Sequence, residues 1–206
     1  MANKGKYYES QFEEATIELL REAHWQYTLG DDIHRKYTDP LIEEDLRNFL
    51  AVQYKDKNLT TSEMDGIVAN LRNTGGQNDY YALRNAFLLY RDGYDFAYSD
   101  SRDNPFRMEY IDFEHPDHNI FRCVNQFVMG QGRENRRPDI LLFINGIPVC
   151  IIELKNPTKQ NATIRDAHTQ ICTRYMRDIP ALLKYCALAV ISDGAKNALG
   201  TTYTPF

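Results

Sequence analysis

Two apolar stretches, residues 139–144 (DILLFI) and 147–155 (IPVCIIELK), flank the dipeptide Asn145-Gly146. Asn-Gly between two such runs is a strong hairpin signal. Both runs are apolar at nearly every position, so the strands belong inside a sheet covered on both faces. That demands layers of helices against a sheet, an α/β arrangement. Three ionisable residues interrupt this apolar setting: Asp139 opens the first run, and Glu153 and Lys155 close the second. Charges inside a covered sheet are costly unless they are paired or bound to metal.

Glu153 and Lys155 are two residues apart and share a face of their strand. Whether Asp139 joins them depends on the turn. A strict two-residue loop pairs Ile144 with Ile147 and sets Asp139 opposite Ile152, which leaves Glu153 on the wrong face. A three-residue loop pairs Ile144 with Pro148 and Asp139 with Glu153. The expectation is therefore a three-residue loop, or an equivalent bulge, around residues 145–147. Two carboxylates brought together this way invite a hard divalent cation such as Mg²⁺, with Mn²⁺ as a substitute. Asp139 and Glu153 would hold the ion, which polarises a phosphate oxygen and lowers the pKa of a bound water. Lys155 would position that water or stabilise charge on phosphorus. The chemistry is phosphodiester hydrolysis. The competing reading is a structural Glu153–Lys155 ion pair near a strand end.

The remaining chain supplies the layers. Its 206 residues make one domain of ordinary size. Residues 8–24 read as an amphipathic helix with Phe12, Ala15, Leu19 and Ala23 on one side, followed by helices over 40–54, 60–74 and 80–90. Asp39-Pro40 marks the start of the second helix, Thr60 or Thr61 caps the third, and Gly75-Gly76 ends it. Residues 106–113, 120–129 and 185–191 are aromatic or β-branched and read as strands, and 162–178 as a helix carrying Ile164, Ala167, Ile171 and Tyr175 on one side. Residues 1–93 are thus a mainly helical cover, and 94–206 a mixed-sheet core flanked by helices. No apolar run exceeds about six residues, too short to span a bilayer, and the N-terminus has no signal-like apolar segment; the chain is expected to be cytoplasmic.

The net charge of −5 argues against a general basic coat for nucleic acid, but the charge is uneven. Residues 1–129 carry 14 Lys and Arg against 23 Asp and Glu, while residues 130–206 carry 10 against 6. The segment with the ionisable hairpin is the one able to meet a polyanion. Cys150 and Cys186 sit in apolar runs and read as core residues, and no cysteine pair has zinc-site spacing. His115-Pro-Asp-His118 has metal-ligand residues but reads first as a proline-broken surface loop.

Arg137-Pro138-Asp139, an apolar strand with Asn145-Gly146, and then Glu153-Leu154-Lys155-Asn156-Pro157 resemble the PD-(D/E)xK nucleases. More closely, the chain resembles the N-terminal nuclease domain of the restriction (R) subunit of type I restriction enzymes. Ile111-Asp112-Phe113, Asn119 with Phe121, Asn125-Gln126-Phe127, Arg177-Asp178-Ile179-Pro180, Ile191-Ser192-Asp193-Gly194 and Leu199-Gly200-Thr201 extend the likeness, which runs from about residue 106 to the end and, more loosely, over 7–30. It implies a restriction-endonuclease-like core of order α-β-β-β-α-β and a single nuclease domain over 1–206. The implied activity is metal-dependent DNA cleavage by Asp139, Glu153 and Lys155. Many such nucleases carry Gln-x-x-x-Tyr on the next helix. Here Gln170 is followed at that distance by Arg174, with Tyr175 one later, turned about 100° away on a regular helix. A bulged turn would restore it. An acidic residue of the first helix also belongs to such sites, and Glu13 or Glu14 fits.

Arg136, Arg137, Lys159, Arg165 and Arg174, with Arg133 and Arg177 nearby, are the expected phosphate contacts to double-stranded DNA. Such contacts carry no sequence information, so cleavage by this region is expected to lack sequence preference. Type I restriction subunits couple cleavage to an ATP-driven translocase, yet no GxxxxGK[ST] loop occurs in this chain. ATP is therefore expected only in a longer parent protein, whose partners are the methyltransferase and specificity subunits. The alternative function is a DNA-binding or assembly platform with little activity of its own.

Overall fold

The computed structural model describes residues 4–100, 103–130, 135–155 and 163–206, with side chains from Ser10 onward. Helix α1 (Lys4–Glu22) leads into strand β1 (Gln26–Leu29), and α2 (Glu43–Gln53), α3 (Thr61–Asn73) and α4 (Asp79–Asp92) follow. Strands β2 (Tyr94–Phe96) and β3 (Phe106–Met108) precede β4 (Phe121–Asn125), β5 (Ile140–Ile144) and β6 (Ile147–Leu154). Then come α5 (Ile164–Thr169), a π-helical stretch (Gln170–Tyr175), the short α6 (Met176–Asp178) and α7 (Pro180–Leu183), and strands β7 (Leu188–Ser192) and β8 (Asn197–Gly200). No helix among the described residues is long and apolar enough to cross a membrane.

Six strands form a mixed sheet in the order β1-β4-β5-β6-β7-β8. The pairs β1–β4 and β6–β7 are parallel and the others antiparallel. Beneath α1, Ile17 packs with Cys123, Ile140, Cys150, Ile152 and Leu154. On the opposite face, Ala167, Ile171 and Tyr175 pack with Val124, Leu141, Phe143 and Ile151. A third cluster joins α2, α3 and α4 to Tyr110, Ile147 and Tyr185. Its buried tyrosines each donate to a backbone carbonyl: Tyr90 to Tyr185, Tyr185 to Leu71, Tyr110 to Ile67, Tyr54 to Glu109 and Tyr98 to Lys57. Each ring thereby buries its apolar area while its hydroxyl keeps a partner.

Several elements differ from the sequence reading. The α1 stripe is Phe12, Ile17 and Leu20, whereas Leu19 is 66% exposed and Ala15 also faces out. His24 takes a positive φ of 68° and breaks the helix, which lets β1 begin in a segment with no strand pattern. The strand expected over 106–113 is only Phe106–Met108, and it pairs with Tyr94–Phe96 in a separate two-stranded sheet. The strand expected over 120–129 stops at Asn125, because Gln126 turns to φ 55°. Helix α3 starts as read: Thr60 accepts from the Glu63 N–H and Glu63 reaches back to the Thr60 N–H, a reciprocal cap.

The hairpin loop is a correction. Asn145 and Gly146 form a two-residue turn at φ 50° and 75°, and Ile144 pairs with Ile147. The extra residue lies further along, at Val149: Phe143 pairs with Pro148, Leu142 with Cys150 and Ile140 with Ile152. Pro148 has no N–H to give the ladder, and a proline in a central strand is found at such bulges. The register shift expected from a longer loop is thus delivered by a bulge three residues beyond the turn.

That turn is fastened from all sides. Asn145 is fully buried. Its Oδ1 accepts from the Ile120 N–H, and its Nδ2 donates to the Tyr110 carbonyl and to Asn119 Oδ1. A Cβ on Gly146 would stand 2.1 Å from the Ile42 carbonyl oxygen, so only glycine fits. Asn145→Ala leaves the Ile120 N–H and the Tyr110 carbonyl without their side-chain partner and should cost about 2–4 kcal/mol of stability, read from urea denaturation midpoints. A loss under about 0.5 kcal/mol would show that the turn does not depend on this side chain.

Candidate active site

The carboxyl ends of β4, β6 and β7 and the amino end of β5 meet at one edge of the central sheet, where open α/β sheets place their ligands. Ile140 pairs with Ile152, so Asp139 stands opposite Glu153 at the next position along. On β5, Leu141 and Phe143 face α5; on β6, Ile151 does. Strand alternation puts Asp139, Glu153 and Lys155 on that same face.

Glu153 is 1% exposed. Lys155 Nζ donates to its Oε1 at 2.7 Å, and the Tyr175 hydroxyl donates to its Oε2 at 3.2 Å. Asp139 Oδ2 accepts from the Leu154 N–H at 2.7 Å, which ties the two strands together at the site. Burial, and after it the neighbouring Asp139 carboxylate, pushes the Glu153 carboxyl up to about 8, against the pull of Lys155. A buried carboxyl held this far above its ordinary range, beside a second carboxylate and an ammonium, is the pattern of a functional site. Burial likewise raises the Tyr175 hydroxyl, with Glu153 adding to the effect, so tyrosine is the donor in this pair.

The helix that supplies Tyr175 is not regular. Over Gln170–Tyr175 it widens to a π turn, in which residue i+5 takes the place that i+4 holds in an α-helix. Gln170 Nε2 therefore reaches the Tyr175 hydroxyl at 2.7 Å. The structure brings together Asp139, Glu153, Lys155, Gln170 and Tyr175.

Glu13 stands at the same sheet edge but on the α1 side, apart from that set. Its carboxylate accepts from Asn125 Nδ2 at 2.7 Å and Gln126 Nε2 at 3.0 Å, and Tyr27 donates to Asn125 Oδ1. The inward turn of Ile17 carries Glu13 toward the sheet and leaves Glu14 in solvent. The part played by Asn125, Gln126 and Tyr27 in holding Glu13 was not read from the sequence; the positive φ at Gln126 that aims its amide leaves no mark in local composition.

The arginines divide. Arg136 is committed to the buried Asp178 carboxylate at 2.7 Å, which Arg177 also grips. Arg137, Arg165 and Arg174 are exposed, with Arg165 stacked over Phe206. Lys159 and Arg133 lie outside the described residues.

The raised Glu153 carboxyl has a consequence for stability. In the unfolded chain the group titrates near about 4.3. The folded chain keeps its proton up to about 8. Its contribution is therefore full below the lower value and is lost as pH rises toward the upper one. In EDTA, the chain should lose stability between about pH 5 and pH 8.5, by on the order of a few kcal/mol. Glu153→Gln should flatten that loss in urea denaturation, and an equal slope in the variant would remove Glu153 as its source.

Comparison with known proteins gives a consistent grouping. Residues 6–206 match the family described as type I restriction enzyme R protein N terminus. The type I restriction enzyme HindI endonuclease subunit of Haemophilus influenzae is 29% identical over 208 residues, which cover 96% of this chain and 19% of that protein. The type I restriction enzyme SsaAORF53P endonuclease subunit of Staphylococcus saprophyticus is 26% identical over 155 residues, 73% of this chain and 15% of that protein. The chain spans about a fifth of the length of the first relatives it matches.

Proposed function

The chain belongs to the family of type I restriction enzyme R protein N termini, and from that premise we propose that it is the metal-dependent DNA-cleaving module of a type I restriction-modification complex. The observation that carries the reading is the buried Glu153 carboxyl opposite Asp139, with Lys155 and Tyr175 on its two oxygens. The sequential set α1, β4, β5, β6, α5 and β7 follows the order α-β-β-β-α-β and supports a restriction-endonuclease-like core.

The donor set fits a hard dication. Two carboxylates and one ammonium leave a deficit of one positive charge, which adds, through Asp139, to the burial that raises the Glu153 carboxyl. Asp139 and Glu153 would hold Mg²⁺, or Mn²⁺ in its place. Bound there, the ion would polarise a phosphate oxygen and make a water acidic enough to attack phosphorus. The protein's own groups do the rest. Lys155 supplies the positive charge that holds the attacking water or meets charge developing on the phosphate. Tyr175, fixed by Gln170, holds the outer oxygen of Glu153, and the Leu154 N–H holds Asp139. Glu13, clamped by Asn125 and Gln126, adds an acidic group at the same sheet edge. Arg137, Arg165, Arg174 and Lys159 are assigned to DNA phosphates, and Arg136 to positioning through Asp178. In the full-length protein an ATP-driven motor would deliver the duplex, and methyltransferase and specificity subunits would read the site; the setting is cytoplasmic.

Asp139→Ala should weaken Mn²⁺ binding by more than about tenfold in calorimetry with an unchanged circular dichroism spectrum. Lys155→Ala should keep the metal and lower DNA cleavage by about a hundredfold or more in the reconstituted complex. Unchanged Mn²⁺ affinity in the first variant would end the ligand assignment. Normal cleavage by the second would leave the assembly-platform reading in its place.

A further inference from the structure

A second constellation of metal-ligating residues lies far from the carboxylate pair, beside the buried Asn145 turn. Asp112 is 4% exposed. Its Oδ1 accepts from the N–H groups of Glu114 and His115 at 3.1 and 2.8 Å, which fixes the carboxylate against the loop. Its Oδ2 then faces two imidazoles, His118 Nδ1 at 3.0 Å and His115 Nδ1 at 3.7 Å. The three donor atoms all lie within 4.8 Å of one another, the one such group of three among the described residues.

These distances bracket what a tetrahedral ion needs. Metal–ligand bonds of about 2.0–2.1 Å put neighbouring donors about 3.3 Å apart. The spacing Asp-x-x-His-x-x-His, with Pro116 opening a single 3₁₀ turn over Pro116–His118, folds the second histidine back over the carboxylate. The two rings now stack, with centroids 4.9 Å apart and planes 17° from parallel. Both rings are more than half exposed, so a turn of His115 about its own χ2 gives up only its stack on His118 and aims its lone pair into the triangle. Outer contacts already orient the carboxylate: Gln53 Nε2 donates to Oδ2 at 3.2 Å, and Asn119 bonds both the N–H and the carbonyl of Asp112. Such supporting bonds are typical of metal centres.

We propose that Asp112, His115 and His118 bind one transition-metal dication of the Zn²⁺ or Co²⁺ class, with solvent completing its coordination. Two imidazoles and one carboxylate suit these ions rather than Mg²⁺, so the site differs in selectivity from the carboxylate pair. Asn119 also bonds Asn145, so the ion would cross-link the loop that anchors the β5–β6 turn and would stabilise the hairpin from its far end.

The test is a Zn²⁺ titration of the chain in competition with a chromogenic chelator, in an Asp139→Ala background that disables the carboxylate pair, with excess Mg²⁺ present. One equivalent of Zn²⁺ should bind and raise the thermal midpoint. His115→Ala and His118→Ala, both on the surface, should each weaken binding by more than about tenfold and abolish the midpoint shift, with unchanged circular dichroism. Absence of tight Zn²⁺ binding overturns the proposal, as does binding that both substitutions leave intact. Neither result bears on the nuclease reading, which the assay does not measure.

Discussion

One unpaired residue in β6 decides which side chains meet at the open end of the hairpin. With the bulge at Val149, Asp139 and Glu153 are partners across adjacent strands. Without it, Glu153 would turn into the apolar layer beneath α1, against Ile17 and Cys123. Lys155 would turn with it, but the carboxyl would lose both Asp139 and the Tyr175 hydroxyl and be buried among apolar side chains at a cost only partly compensated. The bulge instead delivers both side chains to Asp139 and Tyr175, and leaves Ile152 and Leu154 to fill the α1 side.

A second one-residue insertion, in the helix, completes the arrangement. The π turn over Gln170–Tyr175 does for α5 what the bulge does for β6, moving one side chain onto a face that regular geometry denies it. Both irregularities point at Glu153, and both sit where secondary structure is otherwise strong. π turns cluster at functional sites because an isolated one costs helix stability that only another gain offsets. The raised Glu153 carboxyl is the same kind of compromise, a buried acid whose two oxygens are each given a donor against the cost of burial.

Much of this was legible in the residues. The Asn145-Gly146 turn, the cap at Thr60 and the apolar side of Ile164, Ala167 and Ile171 follow from local patterns that tertiary contacts leave alone. The required Asp139–Glu153 pairing was also derivable, because alternation makes register a matter of parity. The position of the bulge was not read, although Pro148 signals it by lacking a ladder donor. Edge strands β1 and β8 were missed for another reason. They are four residues each and half or fully exposed, so apolar periodicity says nothing about them, and β1 exists because His24 ends a helix and β4 offers an edge. The α1 face was misjudged by one step of the helical wheel, since Leu19 and Ile17 are equally apolar and only packing against Ile140 and Ile152 chooses between them. That choice also separates Glu13 from Glu14.

The two ends of the β5–β6 hairpin have opposite characters, and the contrast explains how an awkward charged site is held in place. At the turn every polar group of Asn145 is satisfied within the protein, and Gly146 lies against the α2 entrance with no room for a side chain. At the other end, three ionisable groups sit within two or three residues of the strand termini, where ladder hydrogen bonds are running out. A hairpin anchored loosely at both ends would let Asp139 and Glu153 part as soon as both ionise. Fixing the turn, the central ladder and the Leu154 N–H bond to Asp139 transfers rigidity along the strands, so mutual repulsion is borne by the whole sheet. Precise placement of reactive groups on a stiff element is what lets a protein keep two carboxylates at close quarters until a cation or a substrate relieves them.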